Sequence, residues 1–236
     1  AAPSQTSDFS TLSDQRRQTG YRKLTYMMLD QDIVATSESA VYRVLREADL
    51  LHRWKRSSRS PGVYTFKPTG PNQQWHSDVM YAWVGCRHYF LLSFVDAYSR
   101  YVVHHRLLID LTGRAVATEL EAALGKCEGA RPRIVHDHGS EFCNSELRAV
   151  VKEHDLLDIR TRARHPESNG IVERFNGTVR QDSDDRYGDN YLQAERVIAR
   201  LIEEYNHVRL HAALGYLEPR EMHYGNPERR RQQRRE

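Results

Sequence analysis

The run Arg87–Arg100, RHYFLLSFVDAYSR, constrains the fold more than any other stretch. Its apolar residues are continuous and do not alternate, so the strand it predicts cannot be half-exposed. Before it, QWHSDVMYAWVG alternates and turns at Gly85. After it, Tyr101 to Leu108 reads as a third strand, and three strands with short turns make a meander. Thr112 then starts a helix with Ala115, Val116, Leu120, Ala123 and Leu124 facing inward. Arg133 to Asp137 is a fourth strand and Asn144 to His154 a second helix. Leu157 to Thr161 is a fifth strand, and Ser168 to about Asp182 a third helix. The order βββαβαβα predicts an α/β domain, a mixed five-stranded sheet flanked by helices. A chain of 236 residues holds one large domain or two smaller ones, with a real core.

Three acids fall at notable places in that order. Asp78 lies in the first strand, Asp137 closes the fourth, and Glu173 sits in the first turn of the third helix. Asp137 and Glu173 are 36 positions apart, so only tertiary folding brings the set together. Converging carboxylates repel one another unless a cation joins them. Hard oxygen ligands suit Mg²⁺, with Mn²⁺ as a substitute. Two such ions, roughly 3.5–4 Å apart, serve in-line attack at phosphorus. Ser168 can cap the helix, and a helix N-terminus favours the negative charge of Glu173. Asp96 also follows an apolar strand and is the strongest decoy for Asp78; its expected role is to cap the turn into Ser99. Glu141, four residues after Asp137, is within sequence reach of the metal shell but is expected to act as a cap.

Asp78, Asp137 in HDHGSEF and Glu173 in HPESNGIVERFNGTVR resemble the acidic triad of the retroviral-integrase superfamily. The nearest resemblance is to bacterial insertion-sequence transposases with an integrase-type (DDE) catalytic core. It runs from about Trp75 to Tyr224 and includes YNHVRLHAALGYLEP. It implies a ribonuclease-H-like fold, with the acids on the first strand, at the end of the fourth, and on a following helix. It implies that Asp78 bridges two metal ions while Asp137 and Glu173 each hold one. Members typically carry Thr two residues after the first acid, where this chain has Met80. The implied activity is transposition: nicking of element-end DNA by water, then attack of the freed 3′-hydroxyl on another phosphodiester. The implied assembly is a homo-oligomer, at least a dimer on DNA, with a circular intermediate common in the group. A nuclease that hydrolyses without joining, and a non-catalytic DNA-binding regulator, are the competing readings.

The remaining candidate residues lie around this core. Asn169, Asn176 and Arg180 lie four before, three after and seven after Glu173, on one helical face. Arg180 matches the basic residue usual in the family, and all three are expected to contact DNA. His165 before Pro166 touches DNA, orders a loop or is structural. Arg209 belongs to a polar cluster with Asn206 and His211 that the resemblance places beside DNA. Lys55 and Arg56 form the basic exit of a helical region over 20–56, which reads as helix-turn-helix-like or as a plain hairpin. Ser37 is its expected N-cap, with Ser39 as the alternative, and Val41, Val44, Leu45 and Leu50 lie on one stripe. The expected organisation is a flexible arm over 1–19, that helical region, a linker over 57–73, the core over 74–186, and a last helix with a basic tail over 187–236. The arginine run after Pro227 is expected to be disordered or bound along a phosphate backbone.

Composition fits a polyanionic partner. The net charge is only +3, but basic residues crowd both flanks of an acidic middle. No apolar run reaches membrane-span length and no signal peptide opens the chain. Cys86, Cys127 and Cys143 form neither a zinc pattern nor a disulfide framework, so a cytoplasmic protein is expected. The chain opens Ala-Ala-Pro without methionine, as a fragment or a processed chain would. His76, His136, His138 and His165 surround the acids in sequence, but no spaced set suits zinc.

Overall fold

The computed structural model describes residues 19–51, 66–161, 170–183 and 186–235. Lys55, Arg56, His165 and Asn169 lie outside the described residues, as do most of the expected arm and linker. The chain divides into two compact units. One comprises Ser60–Arg209 and Glu218–Asn226; the other comprises Ala1–Arg59, Leu210–Leu217 and Pro227–Glu236.

The larger unit holds the sheet. Its strands are β1 (Gln74–Val84), β2 (Arg87–Asp96), β3 (Val102–Leu108), β4 (Arg133–His136) and β5 (Leu157–Arg160). They lie in the order β3-β2-β1-β4-β5. β1, β2 and β3 pair antiparallel, whereas β4 adds parallel to β1 and β5 parallel to β4. The sheet is therefore mixed, as expected. Leu91 to Asp96 of β2 are all buried, which the continuous apolar run required. Gly85 makes the β1–β2 turn at φ +60, and a Cβ there would stand 2.7 Å from the Asp189 carbonyl oxygen.

Helices cover both faces. Helices α3 (Gly113–Lys126) and α4 (Ser145–Glu153) pack with Trp75, Leu92, Phe94 and Ile134 on one side. Helices α5 (Gly170–Ser183) and α6 (Tyr191–His207) pack with Met80, Ala82, Leu91 and Val95 on the other. Thr112, Asn144 and Asn190 cap α3, α4 and α6 through their side-chain oxygens. The cap of α4 is thus Asn144 and not Glu141, which stays in the preceding turn. The short helix α7 (Pro219–Tyr224) docks by Met222 and by His223, whose Nδ1 meets Ser99 Oγ at 2.8 Å.

The smaller unit holds α1 (Tyr21–Asp30), α2 (Glu38–Glu47), a 3₁₀ turn at Ala212–Leu214 and α8 (Pro227–Gln233). Ser37 caps α2 as expected. Leu24, Met28 and Val41 are buried together, with Leu45 against them. Val44 and Leu50, expected on the same stripe, are about half exposed. The arginine run is not irregular: it forms α8 and closes on α1. Arg234 Nε meets Asp30 Oδ1 at 2.9 Å and its Nη2 meets Asp30 Oδ2. Its guanidinium lies 5.0 Å from the centre of the Tyr26 ring, which stacks on Tyr216. Arg230 shares Asp30 at 3.3 Å. Among the described residues no helix is long and apolar enough to cross a membrane.

Candidate active site

Parallel register brings two of the acids together. His76 of β1 lies opposite Val135 of β4. Two residues further along each chain stand Asp78 and Asp137. Asp78 is within β1, while Asp137 is the first residue beyond β4. Side chains alternate along a strand, so Asp78 shares its face with Met80, and Met80 packs in the cluster beneath α5. α5 lays Val172, Phe175, Asn176 and Val179 on that face. Glu173, in its first turn, remains exposed.

The electrostatics reflect this convergence. The Asp78 carboxyl is pushed up to about 6, chiefly by burial. The charges of Asp137 and Glu173 push in the same direction. The Val79 backbone and the Asn176 amide oppose them. Asn176 Nδ2 donates to Asp78 Oδ2 at 2.8 Å. Asn176 is only 5% exposed, and its Oδ1 has no hydrogen-bond partner among the described residues. This residue, expected to contact DNA, faces Asp78. Arg180 is exposed on α5, two turns beyond Glu173.

The surrounding residues are mostly engaged. Asp137 is exposed, and its Oδ1 accepts from Gly139 N at 2.9 Å. His136 is fully buried; its ring nitrogens lie 2.6 Å from Asp158 Oδ1 and 2.6 Å from the Asp137 carbonyl oxygen. The pairing with His136 holds the Asp158 carboxyl below its ordinary value. Asp158 was not singled out in the sequence, and its place after an apolar pair on a four-residue strand carried no signal of such a partner. His76 is buried, with Nε2 at 2.9 Å from Gln74 Nε2, and His138 is exposed. Arg209 Nη1 bonds Asp182 at 2.5 Å and so ties the end of α6 to α5. Asp96 is fully buried and accepts from Ser99 N at 2.7 Å, Ser99 Oγ at 2.6 Å and Asn72 N at 2.8 Å. That is the capping role expected of it.

The donor set fits a hard cation. Every candidate ligand atom is a carboxylate oxygen, and the raised Asp78 would be relieved by positive charge between the acids. Among the described residues no group of three or more His, Cys, Asp or Glu side chains is arranged to hold a metal ion as it stands, so the three acids would have to draw together around one. An open carboxylate set suits Mg²⁺, which keeps several waters and takes few protein ligands.

Residues 68–166 and 158–219 each match a family described as Integrase core domain. A protein of insertion element IS476 from Xanthomonas euvesicatoria is 28% identical over 214 residues, 88% of this chain and 61% of its own. A protein of insertion element IS407 from Burkholderia multivorans is 28% identical over 89% of this chain and 77% of its own. The transposase InsF of insertion sequence IS3A from Escherichia coli is 26% identical over 68% of this chain and 57% of its own. The chain thus spans about three fifths of the Xanthomonas and Escherichia relatives. Among solved structures, the HTLV-2 integrase catalytic core domain in complex with magnesium superposes with a TM-score of 0.53 at 18% identity. That match covers 67% of this chain and all of that one. The simian T-cell lymphotropic virus intasome gives 0.60 at 17% identity, covering 91% of this chain and 73% of that one. The sheet order and these likenesses make the core a ribonuclease-H-like fold. By its core and its relatives, the chain belongs to the bacterial insertion-sequence transposases with an integrase-like core.

Proposed function

We propose that this chain is a DNA transposase, a polynucleotidyl transferase that cleaves element-end DNA and joins the freed 3′-hydroxyl to another phosphodiester. The observation that carries the reading is the placing of three acids, partly buried Asp78 within β1, Asp137 just beyond the neighbouring β4 and Glu173 in the first turn of α5, near enough for the last two to raise the carboxyl of the first. Asp78, Asp137 and Glu173 hold a pair of Mg²⁺ ions, for which Mn²⁺ substitutes; the solved HTLV-2 core was obtained with magnesium. When bound, the metal pair activates the attacking oxygen and stabilises the leaving one. Asn176 holds one oxygen of Asp78 and thereby fixes which way the carboxylate turns. Arg180, about 10 Å along α5 from Glu173, takes a phosphate of the bound strand.

Arg209, His165, Asn169, Lys55 and Arg56 are proposed as further DNA contacts, with 20–56 as a helix-turn-helix-like element that reads the element end. Of these, Arg209 keeps its position through Asp182. The chain is proposed to work in the cytoplasm as a homo-oligomer, at least a dimer on DNA. The test is a strand-transfer assay on labelled element-end DNA with Mg²⁺, comparing the protein with Glu173→Gln. Joined products are expected, with a loss of at least a hundredfold in the variant. Equal joining by the variant would remove Glu173 from the site. Nicked but never joined products would favour the hydrolytic nuclease.

A further inference from the structure

We infer that His136 is a positioning residue for Asp137, the acid that the proposed function places on the metal, and the inference rests on that reading. The hydrogen-bond ladder of β4 ends at His136, whose carbonyl oxygen accepts from Thr161 N at 2.9 Å. One residue later the chain has left the sheet. There the Asp137 carbonyl finds its partner in a side chain, His136 Nδ1 at 2.6 Å. The same ring reaches the neighbouring strand through Nε2, 2.6 Å from Asp158 Oδ1. It is 0% exposed and stacks on Phe142, with centroids 4.8 Å apart and planes at 18°. The imidazole is therefore fixed by a carboxylate, an aromatic face and the sheet, and it fixes in turn the peptide from which Asp137 departs.

Asp137 needs such support because, among the described residues, its side chain is exposed. Its carboxylate is anchored by Gly139 N at 2.9 Å, and its peptide by His136. Without the ring, the turn after β4 would have to be ordered as the ion binds, at a cost in conformational entropy. Hydrogen-bond partners that orient metal-holding groups are commonly worth 10- to 100-fold in metal affinity. The structure thus gives His136 and Asp158 a role through Asp137, without contact to metal or DNA.

The experiment is a Mn²⁺ titration of the full chain without DNA, followed by the electron paramagnetic resonance of free Mn²⁺. The variants are His136→Phe, His136→Asn, Asp158→Asn and Asp137→Asn, each checked for cooperative urea unfolding. His136→Phe keeps the stack on Phe142 and should weaken Mn²⁺ binding about tenfold or more. His136→Asn places an amide nitrogen where Nδ1 lies and should recover most of the affinity. Where His136→Phe does not fold, Asp158→Asn takes its place, with an expected loss of several-fold. The inference is overturned if the Phe variant, or Asp158→Asn in its stead, binds within twofold of the parent while Asp137→Asn has lost affinity. It is equally overturned if Asn rescues nothing, since the position then serves packing alone. If Asp137→Asn itself binds Mn²⁺ as the parent does, the metal reading fails first and takes the inference with it.

Discussion

On the sheet face under α5, Asp78 is partly buried, and its carboxyl is pushed up to about 6, chiefly by desolvation and further by the charges of Asp137 and Glu173. The folded chain therefore holds this proton more tightly than the unfolded one. The resulting stabilisation is complete below the ordinary value near 3.8 and is lost as pH rises through 6. The difference amounts to about 3 kcal/mol. Asp78→Asn removes the titrating group while leaving an oxygen to accept from Asn176. In divalent-free buffer the variant should unfold at higher urea than the parent at pH 8, with the two converging near pH 4. A parent whose stability does not fall between pH 4 and pH 8 would contradict this account. The sequence places three acids on elements that the fold brings near one another. Asp78 and Asp96 both close or interrupt apolar strands, and their separation came from the order of strands. The structure gives the physical difference: Asp96 is saturated by donors from Ser99 in its own turn and from the Asn72 backbone, whereas Asp78 is raised by the charges of other acids. The partner of His136 was not legible, because a contact between neighbouring strands depends on register that no local pattern encodes.

Elements were legible where a cap or a period marked them. Thr112, Asn144 and Ser37 announce their helices, and each caps as its type suggests. What the period leaves open is the fine rotation of a helix. Along α5, each residue turns about 100°, so Arg180 falls about 20° from Glu173 but Asn176 about 60° from it. That rotation carries Asn176 toward the stripe of Val172, Phe175 and Val179, and so beneath the exposed acid instead of beside it. A similar limit hid Glu119, which lies on the inward side of α3 and is 8% exposed. It ties α3 to β3 through His104 Nε2 at 2.6 Å and Arg106 Nε at 3.2 Å. Lys126 Nζ meets the other nitrogen of His104 at 2.8 Å, and burial holds the imidazole below its ordinary value. Glu119→Ala leaves the buried ring without its acceptor, at a cost of about 2–3 kcal/mol. Urea denaturation at pH 7 should show that loss as a lower midpoint with an unchanged slope.

At the scale of the whole molecule, the sheet unit is assembled from a nearly continuous span, whereas the smaller unit gathers segments far apart in the chain. Its inner seam on α8 is made of arginines. The side chains of Arg234 and Asp30 are 7% and 12% exposed, and Arg230 shares the same carboxylate. A buried ion pair broken on one side costs about 3–5 kcal/mol, because the remaining charge is stranded. Arg234→Ala should therefore speed amide hydrogen exchange in α1 by at least tenfold at neutral pH. Exchange as slow as in the parent would show that α8 does not hold α1.

The closure of α8 on α1 also sets a clock on synthesis. Asp30 leaves the ribosome 204 residues before Arg234 does. At about 5–20 residues per second, the wait is about 10–40 s. Through that interval a nascent chain carries α1 and α2 without the helix that completes them, while the strands of the sheet emerge one after another. The helices that precede the sheet thus wait for the whole sheet before α8 closes on them, and a chain interrupted after Asn226 would never close that unit.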